Sequence, residues 1–462
     1  MRTSANKPAT ARPPEGGTPN GGTPNDWPLK IFSLLFGGFL GLALLKFPNP
    51  PVVDHLITVP TNEWEWALMS WPVRFAYPLL GLLALAGLAL IRWPRNISKV
   101  GACLPLAWLL WMGLSVTQTI DAAVSTVTLV HFALCVVCFY LGLLAVGRLK
   151  QAGWLFAGLI VAFLFVLASG LQQHFGGLEA TRKSFWLYTY PPLTEPPPPE
   201  LLKRMKSERI FSTLFYPNSL AGLLLLLTPF VLGVIADARE RFTIEARGFM
   251  GVVVGAAAAG CLVWSGSKAG WLLALAMSVV ILLRLPVNRQ LKIAVIVVLV
   301  LAGTAGFAVR YAGFFKRGAP SVVERFNYWN AAWQNVQAHP LLGSGPGTFA
   351  TVYKRVKPPE AEMARLTHND YLQQASDSGL VAGLLFLAIT VWVCVRTRWV
   401  WSGGGWGRFG VWLGLVGFAA QAVVEFGFYV PATAWCWFAL AGWLVAQGAP
   451  NSDSARSQSA TV

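Results

Sequence analysis

The sequence predicts an all-α polytopic membrane protein of about twelve transmembrane helices, with a large outward-facing loop domain between the ninth and tenth spans. Three observations lead there. The chain of 462 residues is 55% hydrophobic and 12% charged, whereas soluble domains carry about 25% charged residues. Apolar runs of bilayer length, roughly 17 to 25 residues, recur along it. One long polar interval, 310–379, breaks the pattern.

A formal charge of +16 would suggest nucleic acid in a soluble protein. Here the bases sit between apolar runs, so anionic lipid and membrane topology account for them, and no nucleic-acid partner is expected. The six cysteines (103, 135, 138, 261, 394, 436) fall inside apolar segments. Cys135 and Cys138 form a lone C-x-x-C at lipid depth, which reads as packing; no metal site and no disulfide framework is expected.

Residues 1–27 repeat GGTPN twice among Pro, Gly, Thr and Asn, and read as a disordered tail, as do residues 449–462. The run 31–45 lacks a small-x-small cleavage site before Lys46 and reads as an uncleaved first span. Further spans are expected at 75–91, 100–117, 123–147, 152–172, 213–236, 248–264, 269–284, 293–309, 380–395, 409–430 and 431–447. Short connections carry Arg92, Arg95 and Lys99; Arg148 and Lys150; Arg239, Arg241 and Arg247; Arg284, Arg289 and Lys292; and Arg396, Arg398 and Arg408. With both termini cytoplasmic, twelve spans place all of these inside, while the 118–122 turn on the other side has no Lys or Arg.

The transmembrane region 28–309 then has outward loops at 47–74 and 173–212, the loop domain occupies 310–379, and spans fill 380–448. The second outward loop holds the stiff run PPLTEPPPPE and the bases Arg182, Lys183, Lys203, Arg204, Lys206 and Arg209. The third holds Arg310, Lys316, Arg317, Arg325, Lys354, Arg355, Lys357 and Arg365. Two readings stand for these bases: solvated surface, since long loops cross regardless of charge, or an outward site for an anion.

Within the third loop, Ser321 and Glu324 match a capping box ahead of a helix whose apolar face is expected to be Phe326, Trp329, Trp333 and Val336. His339-Pro340 ends it. Gly343, Gly345 and Gly347 fit a turn better than a phosphate cradle, because Pro346 removes a backbone donor. A second short helix is expected near Thr367, with His368 and Asn369 in its first turn.

At 209–221 (RIFSTLFYPNSLA), 325–349 (ending HPLLGSGPGTF) and 368–379 (HNDYLQQASDSG), the chain resembles the O-antigen ligase and polymerase superfamily. Such proteins transfer glycans from undecaprenyl diphosphate, on the outer face of the bacterial inner membrane, to an acceptor hydroxyl. The acceptor is lipid A core, a growing polysaccharide or, in some relatives, a protein. The resemblance implies an inner-membrane glycosyltransferase of polysaccharide and cell-envelope biosynthesis, with its site on the periplasmic face.

Breaking the glycosidic bond leaves charge on the diphosphate. The chain has no Asp-x-Asp motif to hold a metal, so no cofactor is expected, and arginine can do the same electrostatic work. By resemblance Arg209 and Arg325 grip the diphosphate, and His368 meets the acceptor hydroxyl. At a helix N-terminus the macrodipole disfavours the cationic imidazole, so a neutral His368 is expected to take a proton or orient the hydroxyl. Asn369 and Asn218 join the candidate substrate-binding residues, Asn369 more as a loop-holding residue than a reactive one. Lys268 stands where the family often has Arg, keeping charge without the fork. Glu425, near the outer end of the expected eleventh span, is either functional or a helix-end carboxylate reaching water. His131 and His339 read as structural.

The alternative from another class is a flippase or transporter of lipid-linked glycan. That class favours charge inside the spans and repeated halves; the sequence shows few charges within spans, no obvious repeat, and a large outward insert in one half only.

Overall fold

The structure is a computed structural model describing residues 27–94, 97–149, 152–184, 186–187, 202 and 205–448. The two tails, the proline-rich run and Arg95, Lys150, Lys203 and Arg204 lie outside the described residues.

Among the described residues the chain is helical and has no strand. The principal helices are α1 (Trp27–Lys46), α2 (Ala76–Leu88), α3 (Lys99–Ser115), α4 (Ala122–Tyr140), α5 (Gly153–Gln172), α6 (Pro217–Asp237) and α7 (Ile244–Ser265). They continue with α8 (Lys268–Arg284), α9 (Arg289–Lys316), α10 (Pro320–Ala338), α11 (Phe349–Val356), α12 (Asp370–Arg396), α13 (Gly405–Gln421) and α14 (Pro431–Gln447). Eight segments are long and apolar enough to cross a membrane: Trp27–Lys46, Lys99–Gln118, Ala122–Arg148, Gly153–Lys183, Pro217–Asp237, Ile244–Ser265, Arg289–Lys316 and Asp370–Gly403. At the other four expected positions the helices are shorter: α2, and the 17-residue α8, α13 and α14, each of these three about 25 Å long.

Small residues set the closest helix pair. A side chain at Gly233, Gly410 or Gly414 would run into the backbone at Trp406, Pro229 or Leu226 respectively. The register 233–406, 229–410, 226–414 makes α6 and α13 antiparallel and brings their backbones together, the small-residue packing typical of membrane helices. It also sets the start of α6 beside the end of α13.

Two expected spans are drawn differently. The eleventh, expected at 409–430, ends as a helix at Gln421; residues 422–430 fold back through a 3₁₀ turn, Gly427–Tyr429. Pro431 begins α14 and holds Val430 in extended backbone, φ −98° and ψ 114°. Glu425 therefore sits on a turn, not within a span. The tenth begins at Asp370, so the polar stretch before Gly379 caps the span as helix, with a break at Gly379 (φ 85°). Asn369, whose side chain accepts the Leu372 amide, is its N-cap, and His368 lies just outside.

The α10 expectations also change. The capping box does not form: Ala319, at φ 50°, is the N-cap, Pro320 opens the helix, and Ser321 is inside it. The buried face is Tyr328, Ala331, Ala332, Asn335 and Val336, while Phe326 and Trp333 are 59% and 49% exposed. Polar anchoring decided this. Asn335 Nδ2 donates to the Ser376 carbonyl (2.7 Å) and to Ser344 Oγ (2.9 Å), and Tyr328 meets Tyr353 edge to face at 5.2 Å.

Candidate active site around Glu425

The antiparallel α6/α13 pair places Asn218, on the first turn of α6, beside the 422–430 turn. Gln421 Nε2 donates to the Asn218 carbonyl (3.0 Å), and Asn218 Nδ2 donates to Glu425 Oε1 (2.6 Å). Arg325, on α10, donates from Nη2 to the same oxygen, from Nε to the Val424 carbonyl (3.0 Å) and from Nη1 to the Ser321 carbonyl (3.0 Å). His368 brings Nδ1 to Glu425 Oε2 at 3.1 Å. One carboxylate, its side chain 6% exposed, thus ties four segments together. Burial pushes the Glu425 carboxyl up, but the hydrogen bond and charge of His368 and the charge of Arg325 outweigh it and hold it below its ordinary value.

Arg209 arrives on a clamped segment. Gln173 Oε1 accepts the amides of Phe211 (3.0 Å) and Ser212 (2.7 Å), and Gln173 Nε2 donates to the Ser212 carbonyl (3.0 Å). Arg209 then donates from Nε to the Ser265 carbonyl and from Nη2 to Asn218 Oδ1, both at 2.6 Å. Gly266 ends α7 in the left-handed conformation (φ 64°), and a Cβ there would press on the Arg209 side chain. Lys268, the first residue of α8, holds Nζ 3.8 Å from the Phe314 ring centre and 5.1 Å from that of Tyr311.

Four non-glycine residues among those described have positive φ: Ser212, Phe215, Ala319 and His368. All lie on segments that carry Arg209, Arg325 or the imidazole itself. Such conformations persist only where the surroundings over-determine them, and they collect at functional sites. At His368 the Asn369 amide donates to Thr367 Oγ1 (3.2 Å), Thr367 Oγ1 donates to the Asn369 carbonyl (2.8 Å), and the Thr367 amide donates to Gln373 Oε1 (2.7 Å).

Arg209, Asn218, Lys268, Arg325 and Glu425 line one cavity of about 320 Å³, together with the apolar Leu272, Phe307, Phe314, Phe315 and Trp329. Three cations stand against one carboxylate. The chemistry suits an anion attached to a long apolar group. His368 does not line this cavity; it approaches the opposite carboxylate oxygen, half-buried between Tyr328 (5.8 Å, stacked) and Phe426 (4.8 Å, edge-on). The macrodipole expectation for His368 gives way to a carboxylate partner. Asn369 caps α12 and also stays outside the cavity.

The rest of the HNDYLQQASDSG stretch rivets the loop to the spans. Asp377 accepts the Gly347 amide (2.8 Å), and Gln374 bridges Trp108 Nε1 (3.1 Å) and the Tyr429 hydroxyl (3.0 Å). Gly343, Gly345 and Gly347 all have positive φ and form the turn expected of them. His131 places Nε2 2.8 Å from the Phe428 carbonyl in the core, and His339 caps the end of α10.

Sequence reasoning did not single out Gln173, Gln421 or Asp370. Asp370 donates its amide to the Ala422 carbonyl (2.8 Å) and accepts the Phe428 amide (3.0 Å), fixing the turn that carries Glu425. Its place two residues after His368 was the available signal.

Residues 253–387 match the family model described as O-Antigen ligase. Over that stretch the chain is similar to the O-antigen ligase family. The match includes Lys268, Arg325 and His368; Arg209 and Glu425 lie outside it and hydrogen-bond Ser265 and Arg325 within it, and Asn218, also outside, bonds to both Arg209 and Glu425. It supports a membrane glycosyltransferase of the O-antigen ligase or polymerase type, acting on a lipid-linked glycan and an acceptor in general terms. No curated protein matches the chain.

Proposed function

We propose that this protein moves a glycan from undecaprenyl diphosphate to an acceptor hydroxyl, of lipid A core or of a polysaccharide, at the periplasmic face of the bacterial inner membrane. On this reading twelve helices, α1 to α9 and α12 to α14, span the bilayer, both termini are cytoplasmic, and α10 and α11 lie outside. The observation that carries it is the cavity that Arg209, Lys268 and Arg325 line together with the aromatic residues Phe307, Phe314, Phe315 and Trp329. The cations meet the diphosphate, and the aromatic residues take the first isoprenes.

Glu425 is acceptor-only when ionised, so Nδ1 of His368 carries the proton that faces it, and the form of the imidazole that can take a further proton is the neutral one, with its lone pair on Nε2. The acceptor approaches from the Nε2 side. As its oxygen bonds to the anomeric carbon, its proton passes to Nε2. The bond from that carbon to the diphosphate oxygen breaks, and its electron pair leaves on undecaprenyl diphosphate. Glu425 steadies the imidazolium, as a buried carboxylate does behind a catalytic histidine. Both oxygens of Glu425 are engaged, so it is placed to orient rather than to attack, and a single displacement inverts the anomeric centre. Positioned cations do the work of a metal.

Arg325→Ala and His368→Ala test the assignment in folded, purified protein. Loss of transfer in both supports it; wild-type rates in both remove it.

A further inference from the structure

Helix α10 is amphipathic in the reverse of the usual sense. Its buried face carries Ala331, Ala332 and Asn335, while Val322, Phe326 and Trp333 are 39%, 59% and 49% exposed. These three, with Trp329, fall at i, i+4, i+7 and i+11, so they form one apolar stripe along the helix. Single exposed apolar residues need no account, but a continuous aromatic stripe marks a surface that something covers.

The neighbouring span says what covers it. Helix α9 has the length and hydropathy of a membrane span, and none of its most apolar stretch is buried in the protein, so lipid surrounds it. It ends at Lys316 and α10 opens at Pro320, which puts the start of α10 where α9 leaves the bilayer. Lys316 and Arg317, both exposed, stand at that corner, where lipid phosphates meet them.

The helix then stays at that level. Near its start Arg325 donates to the Val424 carbonyl (3.0 Å), and further along Asn335 donates to the Ser376 carbonyl (2.7 Å). Val424 lies in the turn between α13 and α14, and Ser376 in the polar first turns of α12, before the break at Gly379. The Asp370 amide reaches the Ala422 carbonyl (2.8 Å), which sets that turn level with the start of α12. Two anchors about 15 Å apart along the axis, both at span ends, lay α10 across the spans and not upright. A helix lying so, with an aromatic stripe exposed, buries that stripe among headgroups and upper acyl chains.

We propose that α10 is an interfacial helix whose Phe326 and Trp333 sink into the phospholipid leaflet on the side of the candidate site. Val322 and Trp329 of the same stripe, and Arg325 beside it, line the cation cavity, so the contact holds that cavity at headgroup depth. On the transferase reading, on which this last step alone rests, a lipid-linked donor slides in along the leaflet. Its diphosphate then reaches Arg325 without its chain lifting into water.

Photo-crosslinking tests the contact. A benzophenone amino acid is placed at 326, at 333 and, on the polar flank, at 334, and the protein is irradiated in phosphatidylethanolamine and phosphatidylglycerol vesicles. Phospholipid adducts should form at 326 and 333 and be much rarer at 334. Cross-linked dimers in place of lipid adducts would make the stripe an interface between two copies. That result, no adducts, or equal lipid adducts at all three positions would overturn the proposal. A second measurement pairs Phe326→Glu with Trp333→Glu. Both side chains are exposed, so unfolding in detergent should barely change. Turnover of a bilayer-resident donor should fall about ten- to a hundredfold, the scale of burying one large apolar side chain, while a short-chain, water-soluble donor keeps its wild-type rate. Phe326→Leu with Trp333→Leu should keep both. Equal losses with the two donors would overturn the delivery role. If lipid adducts form and wild type turns over neither donor, the transferase reading fails and the membrane contact stands.

Discussion

Nδ1 of His368 faces Glu425 Oε2 at 3.1 Å, while the other oxygen of the same carboxylate takes Asn218 and Arg325. The imidazole and the cation-lined cavity thus share one buried anion, which on the proposed reading links the base to the diphosphate seat. Glu425→Gln keeps the shape and removes the charge, so the protein folds while transfer falls about a hundred- to ten-thousandfold, the range of a disabled general base. Glu425→Ala leaves Arg325 without its buried partner and should cost about 3–5 kcal/mol of stability. Thermal unfolding and turnover of the two variants separate the effects.

The Glu425 carboxyl is held below its ordinary value in the folded protein. The folded state therefore binds fewer protons here than the unfolded state, and stability rises with pH across that window. The contribution is complete above the ordinary glutamate value of about 4.3 and is lost as pH falls through the folded value. Unfolding temperature measured from pH 7 to pH 3 should drop more steeply in wild type than in Glu425→Gln; superimposable slopes would show that Glu425 is not the titrating group.

Arg209 serves two acceptors at once, the Ser265 carbonyl and Asn218 Oδ1. An ammonium on a flexible stem cannot reproduce that fork. Arg209→Lys should lower kcat/KM about ten- to a hundredfold, the value of one to two charge-assisted hydrogen bonds, with the acceptor KM unchanged. Steady-state kinetics at fixed donor and fixed acceptor distinguish this from a general loss.

Gly414 faces the Leu226 backbone with no room for a side chain, whereas Gly38 on α1 faces open space. Gly414→Leu should cost about 1–3 kcal/mol by overpacking and separate Asn218 from Glu425, so transfer falls with stability. Gly38→Leu should do neither. Equal unfolding temperatures for the two would mean that the α6/α13 contact is not what sets the site.

The helical architecture was legible because long apolar runs have few alternatives in a bilayer. Arg209, Arg325, His368 and Lys268 were singled out through the family resemblance; the structure brings Arg209, Lys268 and Arg325 to one cavity and His368 to the carboxylate at its edge. What joins them was not legible. Glu425 looked like one acidic residue at a span end, because its 422–430 turn is apolar enough to read as a continuing span. The α10 face was misread for a similar reason: Phe326 and Trp333 dominate a count of apolar residues, yet Asn335, hydrogen-bonded to Ser344 and Ser376, decides which side is buried. Contacts over some 50 to 200 residues, such as Asn218 to Glu425, leave no trace in local spacing.

The most direct test follows free undecaprenyl diphosphate from purified protein given an undecaprenyl-diphosphate oligosaccharide and an acceptor, with chelator present, in wild type and His368→Ala. The account predicts acceptor-dependent release by wild type, an inverted linkage in the product, and release reduced at least a hundredfold in His368→Ala while donor binding persists. Movement of the intact lipid across the bilayer without release, or equal release by His368→Ala, would contradict it.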